Sequence, residues 1–132
     1  MAKLITSVAL LAVLATSGAA AQTALRDVAR VRDGIIQVGM AYEISEQCSS
    51  ISARLLRGLS FLQELKSYAK SQGFSDAEIE AYVDDRAEKR KLERIARQQL
   101  AALGAVDGRP ATYCRVGRNQ IAQNTRVGWM LR

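Results

Sequence analysis

Apolar residues return at steps of three and four along nearly the whole chain, and that period commits it to helices. Leu25, Val28, Val31, Ile35, Val38 and Tyr42 are spaced 3, 3, 4, 3 and 4 residues apart. A 3.6-residue repeat brings all six into one stripe. No run of strict alternation longer than a few residues competes with it. The spacing predicts an all-α domain of four or five helices, packed antiparallel through short loops in a bundle-like arrangement.

Local signals set the expected boundaries. The first stripe runs from about Ala24 to Glu46, with Asp33-Gly34 as a candidate interruption, and Cys48 closes the segment. Ser49 or Ser50 is the expected cap of a second helix whose stripe is Ile51, Leu55, Leu59, Leu62 and Leu65, and Gly73 is its stop. Ser75-Asp76-Ala77-Glu78 reads as a capping box, with Phe74 stapled on Ile79. A short third helix carries Ile79, Tyr82 and Val83. A fourth, highly charged, starts at Asp84 or Asp85 and runs to Leu103, where Gly104 stops it; its thin apolar side is Leu92, Ile95, Ala96, Gln99 and Leu103. Ala105 to Pro110 is a loop. The last helix begins near Ala111, with Asn124-Thr125 as a break before Val127-Gly128-Trp129-Met130-Leu131.

The N-terminus has the three-part layout of a secretory leader. Lys3 precedes an apolar run from Leu4 to Ala15, and Ala19 and Ala21 occupy the small-residue positions of a cleavage site. The run is shorter than the roughly 17–25 residues a membrane-spanning helix needs. Residues 1–21 are therefore read as a signal peptide, and residues 22–132 as a single helical domain in a bacterial periplasm or outside the cell.

Export gives the two cysteines a meaning. Cys48 and Cys114 are too far apart for a C-x-x-C redox pair, and two thiolates without histidine make a poor zinc site. In an oxidising compartment they read as a structural disulfide. Whether it closes within one chain or between two is open at this stage. The chain has no histidine. That removes Ser-His-Asp and Cys-His nucleophile arrangements, His-ligated haem and the usual catalytic zinc sites. No catalytic residue, metal or cofactor is expected, and the chain is read as a non-enzyme.

The formal net charge of +6 is unevenly placed. Residues 109–132 hold Arg109, Arg115, Arg118, Arg126 and Arg132 and no acid, while acids and bases balance in residues 22–108. A localised cationic field suits an acidic protein face or anionic lipid, and export argues against nucleic acid.

Three segments look like a known family. They are Gln47-Cys48-Ser49-Ser50-Ile51-Ser52-Ala53-Arg54, Gly73-Phe74-Ser75-Asp76-Ala77-Glu78-Ile79-Glu80-Ala81-Tyr82-Val83-Asp84, and Tyr113-Cys114 followed by Gly117 and Ile121-Ala122. Together they resemble a small exported alphaproteobacterial family, a domain of unknown function. The resemblance covers most of the chain after Ala21 and implies that both cysteines and the capping box are recurring structural parts. It implies no activity.

The remaining motifs each have a bland and a functional reading. Ser67-Tyr68-Ala69-Lys70 matches S-x-x-K, in which one helical turn sets Lys beside the Ser nucleophile; the companion motifs are absent and the chain is too short for that fold. Asp84, Asp85 and Glu88 lack calcium-loop spacing and fit a helix N-terminus, where the dipole favours acids. Arg86, Arg90, Arg94 and Arg97 form either a cationic rail or a solvated face with local pairs, Glu93–Arg97 and Glu88–Lys91. Arg126 to Arg132 brackets Trp129 and Met130 and is either a partner anchor or a last turn packed on its own core.

The expected partner-binding residues are thus Arg115, Arg118, Arg126, Trp129, Met130 and Arg132, with Arg86, Arg90 and Arg94 second. The expected function is that of an exported helical accessory protein docking on a cell-envelope protein, in concrete form an accessory subunit on the periplasmic face of a membrane respiratory complex. A periplasmic stress or holdase-type protein and a peripheral binder of anionic lipid surfaces are the alternatives. No small-molecule substrate is expected.

Overall fold

The computed structural model describes residues 23–132; the expected leader, with its expected cleavage after Ala21, lies outside them. A 3-10 turn, Leu25–Asp27, precedes six α-helices: α1 (Ala29–Gln47), α2 (Leu55–Ser71), α3 (Asp76–Asp84), α4 (Arg86–Ala102), α5 (Pro110–Ala122) and the single turn α6 (Arg126–Trp129). Among the described residues there are no strands, only two isolated bridges. No described helix is long and apolar enough to cross a membrane.

The all-α expectation holds, with α6 as an added short turn. α1 is the central element and packs against α2, α4, α5 and α6. Its inward residues Ile36, Met40, Ala41 and Ile44 meet Leu92, Ala96 and Leu100 of α4 and Val116 of α5 in one core. Fully burying residues such as Ile44 and Leu100 contributes about 1.5–3 kcal/mol each. A second, smaller cluster holds Leu25, Val31, Ala69, Phe74 and Ile79; Ile35 and Tyr82 touch both clusters.

The disulfide joins Cys48, just after α1, to Cys114 in the first turns of α5, with Cα atoms 5.1 Å apart. It closes within one chain. The capping box is complete: Glu78 N–H donates to Ser75 Oγ at 3.2 Å, and Ser75 N–H donates to Glu78 Oε2 at 2.7 Å. Phe74 and Ile79 share the smaller cluster, as the staple requires.

Three expectations are corrected. Gly34 does not interrupt α1. A Cβ there would sit 2.6 Å from Leu65 Cδ2, so the glycine is a notch in a continuous helix that receives α2. Neither Ser49 nor Ser50 starts the second helix. Ser52 exchanges backbone hydrogen bonds with Arg132, and Arg54 N–H donates to Met130 carbonyl oxygen at 2.7 Å. Those donors and acceptors cannot also serve a helix, so residues up to Arg54 stay outside it and α2 begins at Leu55. Leu55, Leu59 and Leu62 are exposed rather than inward; Phe61, Leu65 and Ala69 take the buried positions.

Candidate functional site

α2 and α4 both lie on α1, and they flank it rather than packing on each other. The gap between them is a groove of about 730 Å³. Its walls are apolar: Val38 from α1, Leu62 and Leu65 from α2, Leu92 and Ala96 from α4. Tyr42, Leu62 and Val83 are exposed at its mouth. Charged residues also line it, and Arg97 Nε approaches Glu43 Oε1 to 3.7 Å between α4 and α1.

Two polar groups lie in this apolar setting. Glu88 is 6% exposed, and its Oε1 makes no hydrogen bond. Lys91 Nζ stands 3.9 Å from that oxygen, a charge contact beyond hydrogen-bonding distance. The hydroxyl of Tyr82, also in the lining, is buried without a hydrogen-bond partner. Burial, reinforced by the Glu88 carboxylate, raises the Tyr82 phenol above its ordinary pKa. An unsatisfied buried donor or acceptor costs about 1–3 kcal/mol, so such groups call for an explanation.

The helix register explains Glu88. It precedes Leu92 by four residues and Ala96 by eight, so the inward face of α4 is Glu88, Leu92, Ala96 and Leu100. Asp85 caps the helix by accepting from Glu88 N–H at 3.0 Å. Unlike Glu78, Glu88 does not return the bond, because Asp85 N–H is taken by Tyr82 carbonyl oxygen. Extending the Leu92/Ala96 stripe one turn backward in the sequence reaches Glu88; its place in an apparent acidic helix start concealed that.

The residues expected to bind a partner are dispersed. Arg86, Arg90 and Arg94 are exposed on the side of α4 opposite its buried face. Of the local pairs, Glu88–Lys91 forms, whereas Arg97 approaches Glu43. Arg115 and Arg118 are exposed on α5, and Arg115 Nη2 donates to Gly104 carbonyl oxygen at 3.3 Å. Arg132 is exposed, with its backbone held by Ser52.

The C-terminal segment packs on its own core. Met130 is 2% exposed and is corrected from a surface contact to a core residue. Trp129 is half-buried, with the guanidinium groups of Arg57 and Arg126 each 5.0 Å from its ring centroid. Arg57 Nη1 also donates to Trp129 carbonyl oxygen at 3.0 Å, and Arg126 reaches over Phe61. Arg126 and Trp129 are thus engaged within the domain. In the S-x-x-K segment, Lys70 turns to Asp76, its Nζ 3.4 Å from Oδ1. Among the described residues, no group of three or more His, Cys, Asp or Glu side chains converges to hold a metal ion.

Among the described residues, an apolar stripe that the sequence marks as core is exposed. Leu55, Leu56 and Leu59 are 74%, 82% and 59% exposed. With Leu62 they form a ridge along α2 that runs into the mouth of the groove. An exposed apolar surface of this kind is a candidate contact site.

This is a small disulfide-tied helical domain with an apolar groove between its second and fourth helices. Residues 23–132 match the model of DUF5333, a family of unknown function, and the chain belongs to that family. Neither the curated proteins nor the solved structures contain a match.

Proposed function

We propose that the protein is an exported, non-catalytic interaction module of the alphaproteobacterial periplasm that docks on a larger protein of the cell envelope. The observation that supports this best is the leucine ridge of α2. Three large apolar side chains, with Leu62 beside them, stand in solvent on a helix that buries Phe61, Leu65 and Ala69, and leaving them there is unfavourable unless something covers them. The disulfide fits an oxidising compartment. The partner surface is accordingly centred on Leu55, Leu56 and Leu59. The exposed arginines Arg86, Arg90, Arg94, Arg115, Arg118 and Arg132 serve to steer an acidic partner rather than to anchor it. The concrete form of the proposal is an accessory subunit on the periplasmic face of a membrane respiratory complex.

The test is purification of the tagged protein from cell envelopes in mild detergent, beside Leu56→Glu/Leu59→Glu and Arg86→Glu/Arg90→Glu variants. The expected result is stoichiometric recovery of respiratory-complex subunits with wild type, loss with the leucine variant, and salt-sensitive weakening with the arginine variant. Recovery of free monomer alone rejects the proposal. A second reading, binding to anionic lipid, draws on the same ridge, because Lys66 and Lys70 continue its exposed side. Co-sedimentation with anionic vesicles that falls steeply with salt supports it, and absent or salt-insensitive binding removes it.

A further inference from the structure

We propose that the groove between α2 and α4 binds a small amphiphile bearing a primary ammonium head: its chain lies against Val38, Leu62 and Leu92, and its head donates to Glu88 Oε1 and the Tyr82 hydroxyl. This does not depend on the docking role assigned to the leucine ridge.

The chemistry of the head follows from the two unpartnered groups. A carboxylate only accepts hydrogen bonds, so the complement to Glu88 is a donor. A cationic donor also answers its charge, which a low-dielectric wall screens poorly. An ammonium carries three donors, enough for the carboxylate and the phenol together. At Glu88 a carboxylate or phosphate head meets like charge instead, while the cations of the lining, Lys66, Lys89 and Arg97, are exposed. The nearest cation already present, Lys91, stands 3.9 Å from Glu88 Oε1, just beyond hydrogen-bonding range, and its side chain is half-exposed. The inward register of α4 keeps Glu88 in the wall, and the Asp85 cap fixes the turn that carries it.

Size selects the class of occupant. The groove's 730 Å³ lies within the roughly 300–1,000 Å³ of small-molecule sites. A partner helix about 10 Å across fills roughly 420 Å³ per turn, so the groove takes fewer than two turns of one. The lining suits an alkyl chain, since Val38, Leu62, Leu65, Leu92 and Ala96 present only hydrocarbon.

The test is calorimetric titration of the purified protein with n-octylammonium, 1-octanol and octanoate, with methyl chemical shifts reporting the location. Octylammonium should bind at least about tenfold more tightly than octanol, the usual worth of a charge-assisted hydrogen bond, and octanoate should not bind. The methyls of Val38, Leu62, Val83 and Leu92 should shift, and those of Leu55 and Leu56 should not. Glu88→Gln should remove the tenfold preference by weakening octylammonium far more than octanol; Tyr82→Phe should weaken octylammonium by about threefold. Groove methyl shifts in ligand-free Glu88→Gln that match those of the wild-type protein show that the groove has kept its shape. Equal affinity for all three probes, no binding, shifts confined to the ridge, or self-association that covers the groove methyls would each overturn the proposal.

Discussion

Breaking the Cys48–Cys114 bond should remove about 4 kcal/mol of stability. The bond closes a loop whose ends are 66 residues apart. In the chain-entropy model a loop of that length restricts the unfolded chain by roughly 15 cal/mol/K, which is about 4.4 kcal/mol at 25 °C. Domains of this size have about 5–15 kcal/mol in total, so the reduced protein should fold but weakly. The clean comparison is urea unfolding of the wild-type protein with the bond intact and with it reduced, since every atom except two hydrogens is the same. With a urea dependence near 2 kcal/mol per molar, the midpoint should fall by about 2 M. Cys48→Ala/Cys114→Ala should fall slightly further, because Cys48 is fully buried and losing its sulfur leaves a small void.

A midpoint change under about 0.5 M would refute this reasoning. It would mean that the unfolded chain already keeps Cys48 near Cys114 without the bond. The non-covalent tie nearby is a candidate for such persistence. Ser52 and Arg54 pair with Arg132 and Met130 through three backbone hydrogen bonds, and Arg54 Nε donates to Leu131 carbonyl oxygen at 3.0 Å.

Two glycines should respond to alanine with opposite signs. Gly58, inside α2 with open space where a Cβ would go, should gain about 0.5–1 kcal/mol, whereas Gly128→Ala should destabilise, since its Cβ would meet the backbone of Gln120 and lie 2.6 Å from Ile121 N. Urea midpoints of the two variants check both. Burial raises the phenols of Tyr82 and Tyr113, so the fold favours their neutral form. That contribution is complete below the unfolded phenol value of about 10 and is lost as pH climbs through the raised folded values. The urea midpoint should therefore hold up to about pH 9 and fall as pH rises past about 10, and Tyr82→Phe/Tyr113→Phe should flatten the fall.

What was legible in the sequence is what neighbouring residues decide. The capping box at Ser75 needs only residues 75–78, and it forms as written. The α4 start at Asp85 and the Gly73 and Gly104 stops are equally local, and both glycines take positive φ. What was not legible depends on distant partners. Periodicity marks an apolar arc on α2 that covers more than half its circumference, yet only the portion carrying Phe61, Leu65 and Ala69 is buried. The choice is made by α1, where Gly34 leaves room for Leu65. The C-terminal strand-like pairing, which delays the start of α2 until Leu55, joins residues nearly eighty positions apart and has no local signature.

The candidate site follows the same division. Arg126 and Trp129 were conspicuous because charge and aromaticity are visible residue by residue, but Phe61 and Arg57 of α2 engage them from within the domain. Glu88 was inconspicuous because an acid at a helix start has an ordinary electrostatic reason to be there. Its burial arises only when α4 lies on α1 beside Tyr82, and the seam between the two apolar clusters passes through that tyrosine. A fold that needed Glu88 only as a helix-start acid could place it one residue earlier or later, where it would face water. Its position on the inward stripe, four residues from Leu92, instead sets the carboxylate in the groove wall, and the proposed cation site rests on that placement.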